Sequence, residues 1–118
     1  MALHNELGKK GEDEAVSTLE SKGFQIIERN WRKGKSEIDI IARDKRFIVF
    51  VEVKTRSSSL DQIDELISPS KEKSFLNAVN VYLDENDIDL DCRLDVVLIK
   101  KKLEGFDVIH IEDAITQA

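Results

Sequence analysis

Glu37-Ile38-Asp39 and, thirteen residues after the aspartate, Glu52-Val53-Lys54 set carboxylates and a lysine inside two runs of strand-forming residues. In Ser36-Glu37-Ile38-Asp39-Ile40-Ile41-Ala42 and Phe47-Ile48-Val49-Phe50-Val51-Glu52-Val53-Lys54 the neighbours are those of buried strands, where a charge is costly unless it meets a cation or another charge. Residues i and i+2 of a strand share a face, so Glu37 and Asp39 point together, as do Glu52, Lys54 and Arg56, while Ile38, Ile40, Val51 and Val53 take the opposite face into the core. Ile48 and Phe50 precede Glu52 on its own face. That face therefore turns from apolar to ionic along the strand, as expected where a core opens into a cleft. If the two strands pair, Asp39 and Glu52 meet across the ladder. Two hard carboxylate oxygens, joined by the main-chain carbonyl of Val53, suit Mg²⁺ or Mn²⁺ and leave positions for water and a phosphate oxygen. Lys54 would orient or activate the attacking water, and the chemistry would be metal-assisted phosphodiester hydrolysis.

The tripeptide alone is weak. With 12 Glu and 12 Lys in 118 residues, Glu-x-Lys arises by chance roughly once, and it recurs at Glu20-Ser21-Lys22. Its weight comes from the strand context and from Asp39 on the preceding strand; the competing reading is a cross-strand ion pair on a half-exposed sheet. Glu12 lies one turn before Val16, at the amino-terminal end of a helix's buried stripe, and could reach into the cleft, against the plainer reading of a helix glutamate favoured by the macrodipole. Lys71, one turn before Phe75, could project towards a phosphate or be merely solvated. His4 and His110 lack any partner at metal-ligand spacing, and Cys92 has no identifiable general base.

The elements that must position these groups follow from periodicity. A helix is expected from about Asn5 to Lys22, stopped by Gly23, with Leu7, Gly11, Ala15, Val16 and Leu19 as its stripe. Strands are expected over Phe24 to Arg32, Glu37 to Ala42 and Phe47 to Thr55, with Lys33-Gly34-Lys35 and Asp44-Lys45-Arg46 as turns, making an antiparallel meander. The polar stretch from Ser57 to Ile67 reads as a mobile loop or weak helical turn that could act as a lid. Ser68-Pro69 opens a second helix presenting Phe75, Leu76, Val79, Tyr82 and Leu83 on one face, followed by an acidic loop from Asp84 to Asp91. Strands from Arg93 to Lys100 and Phe106 to Ile111 complete an α-β-β-β-α-β-β order.

The length fits a single domain spanning residues 1–118 with one core. No stretch approaches the ~20 apolar residues that cross a bilayer, and a lone cysteine fits a reducing cytosol, so a cytoplasmic protein without membrane association is expected. The net charge of −6 hides an asymmetry: residues 1–58 hold 12 Lys+Arg against 10 Asp+Glu, and residues 59–118 hold 6 against 14. Arg29, Arg32, Lys33 and Lys35 surround Trp31, a patch that could contact phosphates with an aromatic to stack, or a solvated turn with Trp31 in the core.

Gly8-Lys9-Lys10-Gly11-Glu12-Asp13-Glu14-Ala15, Arg29-Asn30-Trp31-Arg32, Glu37-Ile38-Asp39-Ile40-Ile41, Phe50-Val51-Glu52-Val53-Lys54-Thr55-Arg56 and Arg93-Leu94-Asp95-Val96-Val97 closely resemble the YraN family of small bacterial proteins, over nearly the whole chain. That family is assigned to the restriction-endonuclease-like superfamily with the PD-(D/E)xK signature and is similar to archaeal Holliday-junction resolvases. The resemblance implies an α/β fold with a central mixed five-stranded sheet flanked by helices. It implies Glu12, Asp39 and Glu52 as acidic site residues, Lys54 as the catalytic lysine and Glu37 as a neighbour; Arg56, on the Glu52 face, and Lys71 are accessory candidates by position alone. DNA, branched or otherwise structured, is the expected partner, with Lys9, Arg29, Arg32, Lys33 and Lys35 as contacts and a homodimer if two strands are cut symmetrically. Two departures stand out: Ser36 replaces the glycine usual before Glu-Ile-Asp, and Lys71-Glu72-Lys73-Ser74 is less basic than the corresponding run in relatives. A module of the same fold that binds nucleic acid with little or no chemistry is the alternative, and an RNA or nucleotide hydrolase using the same site is a third reading.

Overall fold

Helical spacing of the apolar residues gives way to Gly23, and in the computed structural model of the chain the first helix, α1 (Ala2–Ser21), closes there. Gly23 takes φ 94°, a conformation open to glycine; its amide donates to the Glu20 carbonyl at 3.0 Å and the Phe24 amide to the Leu19 carbonyl at 3.0 Å. These bonds satisfy last-turn carbonyls that would otherwise lack partners. Leu19 and Phe24 are buried in the same apolar cluster, so the cap also aims the chain into the sheet. There follow β1 (Gln25–Lys33), β2 (Ser36–Asp44), β3 (Phe47–Arg56), α2 (Pro69–Glu85), β4 (Asp91–Lys101) and β5 (Phe106–Ile111), the order expected. The structure describes residues 2–56 and 69–115, with side chains from residue 6 onward; the lid expected over Ser57 to Ile67 and the Ser68 cap lie outside these.

The five strands form one sheet in sequence order, antiparallel except for the parallel pair β3–β4. A parallel pair needs a long crossover, and α2 lies in it. Ala15 and Leu19 of α1 pack on one face with Ile40, Ala42, Val49, Val51, Val97 and Ile99. Phe75, Ala78, Val79 and Tyr82 of α2 pack on the other with Ile38, Ile41, Ile48, Phe50, Leu94, Val96 and Leu98. The central strands are accordingly apolar on both sides, as a sheet covered by helices requires. Among the described residues no helix is long and apolar enough to cross a membrane.

One expectation about β2 needs correction. Ile38 and Ile40 do not share a face: Ile38 belongs to the α2 side and Ile40 to the α1 side, so the alternation breaks at Asp39. The neighbouring strand is irregular at the same level. Asn30, between Arg29 (paired with Ile40) and Trp31 (paired with Ile38), adopts φ 52°, outside the extended range. Trp31 follows Ile38 to the α2 side, where it is half-buried against the core and packs edge-on to Tyr82 with ring centroids 5.4 Å apart.

Gly11 brings α1 against β3. A Cβ built there would stand 2.8 Å from Thr55 Cγ2 and 3.0 Å from Thr55 Cβ, and β-branched Thr55 has little rotamer freedom to yield. Gly11→Ala is expected to lower stability by about 1–3 kcal/mol by overpacking, and Thr55→Ala in the same chain to recover most of the loss. Urea denaturation of the single and double variants checks this; equal midpoints for wild type and Gly11→Ala would disprove the close contact.

Candidate functional site

The ladder between β2 and β3 runs from Asp44↔Phe47 to Ile40↔Val51 and stops there. Beyond it, the Val53 amide donates to Asp39 Oδ2 at 2.8 Å, a carboxylate standing where a strand carbonyl would otherwise accept. Asp39 and Glu52 thus come together past the last paired residues, where the strands have room between them. A cleft of about 440 Å³ on the α1 side is lined by Gly8, Lys9, Glu12, Asn30, Glu37, Asp39, Val53 and Thr55. Another, of about 270 Å³ on the α2 side, is lined by Lys35, Glu37, Asp39, Glu52, Lys54, Lys71, Ser74 and Phe75. Asp39 and Glu37 line both.

Each carboxylate is held differently. Glu12, projecting from α1, is 14% exposed and its Oε1 accepts from Arg29 Nε at 3.1 Å and Asn30 Nδ2 at 3.0 Å. Glu52 Oε1 lies 2.7 Å from Lys54 Nζ, whose side chain is 10% exposed. Asp39 is surrounded by negative charge: burial, then the charge of Glu52, push its carboxyl up to about 7, the Val53 amide opposing them and Glu12 and Glu37 adding to them. A carboxyl so perturbed, among hard oxygen donors, marks a place where a divalent cation would relieve the repulsion. Asp39 and Glu52 fit Mg²⁺ or Mn²⁺ as ligands by donor type.

The basic residues predicted to meet nucleic acid are distributed less simply. Lys9 and Lys35 line the two clefts. Arg29 also reaches Asp13 at 2.7 Å, Arg32 lies 3.5 Å from Glu37, and Lys33 pairs with Glu85 of α2. Arg56 donates to the Thr55 carbonyl at 2.8 Å, and Lys71 lines the α2-side cleft.

Sequence reasoning missed a second polar centre and dismissed one of its members. Asp95 is fully buried on β4, and its oxygens accept from Arg93 Nε (2.9 Å), Arg93 Nη2 (3.0 Å) and the Asp113 amide (3.0 Å), with His110 Nε2 at 2.7 Å. Lys22 Nζ stands 2.9 Å from His110 Nδ1. An ammonium has no lone pair to offer, so Nδ1 accepts and Nε2–H donates to Asp95. Burial would push the Asp95 carboxyl up, but the bonds from His110 and Arg93 outweigh it and hold it below the ordinary carboxylate range. Asp95, His110 and Glu112 bring ligand atoms within 4.8 Å of one another and could hold a metal ion. Arg93, at 3.4 Å from Glu112 and bidentate on Asp95, already neutralises that set, so a cation there would have to displace a guanidinium. Only the pairing of β4 with β5 brings His110 to Asp95, which is why spacing along the chain gave no sign of it.

Comparison with known proteins is consistent with the motifs. The model of the uncharacterised protein family UPF0102 matches residues 11–99. A UPF0102 protein of Flavobacterium psychrophilum is 45% identical, over 97% of each chain. Relatives from Bacteroides thetaiotaomicron and Prosthecochloris aestuarii, both named UPF0102 protein, are 43% and 44% identical, over 97% and 95% of this chain and 95% and 94% of their own.

Titration of Asp39 has a calculable sign. The folded chain keeps its proton up to pH about 7, whereas the ordinary value is 3.8, so folding takes up a proton between those limits and this group's contribution to stability falls as pH rises through that window. The slope is at most about 1.4 kcal/mol per pH unit. Urea denaturation in chelator at pH 5, 6 and 7 is expected to show this loss in wild type relative to Asp39→Asn. Added Mn²⁺ should oppose it, because the cation competes with the same proton. Parallel pH profiles for the two proteins would contradict the assignment.

Proposed function

The chain belongs to the uncharacterised protein family UPF0102, and from that premise and the cleft at Asp39 we propose that it is a Mg²⁺- or Mn²⁺-dependent endonuclease hydrolysing phosphodiester bonds in DNA. The observation that carries the reading is Asp39 shared by two clefts, one lined also by Glu12 and the other by Glu52 and Lys54, with Lys54 held 2.7 Å from Glu52. Asp39 and Glu52, with the Val53 carbonyl, would hold the cation. When bound, the ion supplies Lewis-acid stabilisation of phosphate charge and a more acidic water. The chain's own groups do the rest.

Lys54 is nearly buried and held at 2.7 Å by the Glu52 carboxylate, so it can hydrogen-bond an attacking water or offset charge on the phosphate without a flexible search. Glu12, on the other side of Asp39, offers an acceptor for a proton or for a water in the cleft. Lys35 and Lys71 on the α2 side and Lys9 on the α1 side can neutralise phosphates of a strand lying across the cleft mouths. Branched or otherwise structured DNA is the substrate form favoured by the family resemblance, and symmetric cutting of two strands would require two copies of the chain.

A second reading, a nucleic-acid-binding module with little or no chemistry, draws on one observation. Arg29, Arg32 and Lys33 are already paired with Asp13 and Glu12, Glu37, and Glu85, which weakens the basic patch as a phosphate contact. Incubating the protein with branched, single-stranded and linear DNA and Mg²⁺ or Mn²⁺ separates the two. Cleavage is expected, abolished by chelator and reduced about 10²-fold or more in Lys54→Ala and in Asp39→Asn. No cleavage of any substrate, or equal rates in all three proteins, would favour the binding module.

A further inference from the structure

Asn30 is absent from every set of residues singled out above as catalytic or phosphate-binding, yet three observations meet on it. Its backbone is left-handed at φ 52° within β1. Its neighbours pair with Ile38 and Ile40, which puts Asn30 abreast of Asp39 across the β1–β2 ladder. Its side-chain amide donates to Glu12 Oε1 at 3.0 Å, and it lines the α1-side cleft together with Glu12 and Asp39.

The backbone and the side chain select the residue type separately. A left-handed φ is open to glycine and tolerated by asparagine and aspartate, but strained for other side chains. Of those three, only asparagine can donate a hydrogen bond to a carboxylate; aspartate would set a like charge against Glu12, and glycine would leave its oxygen to Arg29 alone. Arg29, the preceding residue of the same strand, grips the same oxygen but is half-exposed and shared with Asp13. Asn30, abreast of Asp39, gives Glu12 a second bond to β1. Two donors on one carboxylate oxygen fix the side chain against the repulsion of Asp39.

We infer that Asn30 is a positioning residue, which holds the Glu12 carboxylate at the cleft beside Asp39 by pairing a left-handed strand position with an amide donor. This rests on the function proposed above, with Glu12 as a working group of that site. Asn30 touches Glu12, not the reacting atoms, so its removal should be felt in turnover more than in substrate binding.

Glycine separates the two roles of the position, because Asn30→Gly keeps the backbone and deletes the donor. Steady-state cleavage of branched DNA with Mn²⁺ is measured for Asn30→Gly, Asn30→Asp, Glu12→Gln and the double variant Asn30→Gly/Glu12→Gln, each with its urea denaturation curve. Expected are a folded Asn30→Gly with kcat lower by about 10-fold and KM within about twofold, as for a misplaced catalytic group, and a comparable loss in Asn30→Asp. The double variant should be no slower than Glu12→Gln alone. Wild-type kcat in Asn30→Gly, or losses that multiply in the double variant, would overturn the inference. If the wild type cleaves nothing, the proposed function falls, and the brace is judged on denaturation alone. Non-additive stability changes across the Asn30→Gly and Glu12→Gln cycle would uphold the contact, and additive ones would overturn it.

Discussion

Past Ile40 and Val51 the two strands that carry the acidic residues stop pairing, and the bond that replaces the ladder is the one from the Val53 amide to Asp39. This substitution organises the rest. A continued ladder would pair Asp39 and Glu52 as neighbours on a closed sheet surface, with their charges directed to solvent. With the strands apart, the aspartate is drawn between them, half-buried, and the clefts on the two faces of the sheet share it. One helix then needs to deliver Glu12 from one side and the other to wall the space around Lys54 from the opposite side. Gly11, which lets α1 touch Thr55, serves the first requirement.

Opening the strands also concentrates negative charge. Glu12, Glu37 and Glu52 all act on Asp39, and its carboxyl rises to about 7. A fold under no constraint but stability would avoid such a cluster, since each shifted proton is a loss in folding free energy near neutral pH. The chain compensates locally. Lys54 sits on Glu52, and Arg29 with Asn30 on Glu12, while among the described residues Asp39 accepts from the Val53 amide. Asp95 is the same residue type with no solvent exposure, but it is surrounded by Arg93, His110 and the Asp113 amide and is held below the ordinary carboxylate range. One aspartate is a satisfied ion; the other stands among carboxylates that push its carboxyl up. Their surroundings, rather than residue type, set them apart, and on the function proposed above a cation would relieve the second.

The element order and the strand limits were legible because they rest on local signals: apolar periodicity, Gly23 as a helix stop, short polar turns between strands. The meeting of Asp39 with Glu52 was also legible, since two adjacent antiparallel strands allow few registers. Three features were not. Ile38 was placed on the wrong face because strict alternation assumes an unbroken pleat, and nothing in the sequence marks Asn30 as the left-handed residue beside the break, although asparagine is a type that tolerates it. His110 was set aside for want of a partner along the chain, and its partner came from the pairing of β4 with β5. Arg29, Arg32 and Lys33 read as a free basic patch, whereas acids from α1, β2 and α2 reach them across the fold.

On the function proposed above, the cation would sit between Asp39 and Glu52 and not at the neutralised set of Asp95, His110 and Glu112. Anomalous diffraction from crystals equilibrated with Mn²⁺ tests it without reference to any substrate. A manganese peak is expected within about 2.5 Å of carboxylate oxygens of both Asp39 and Glu52. A peak beside Asp95 and His110 with none at Asp39 would contradict it.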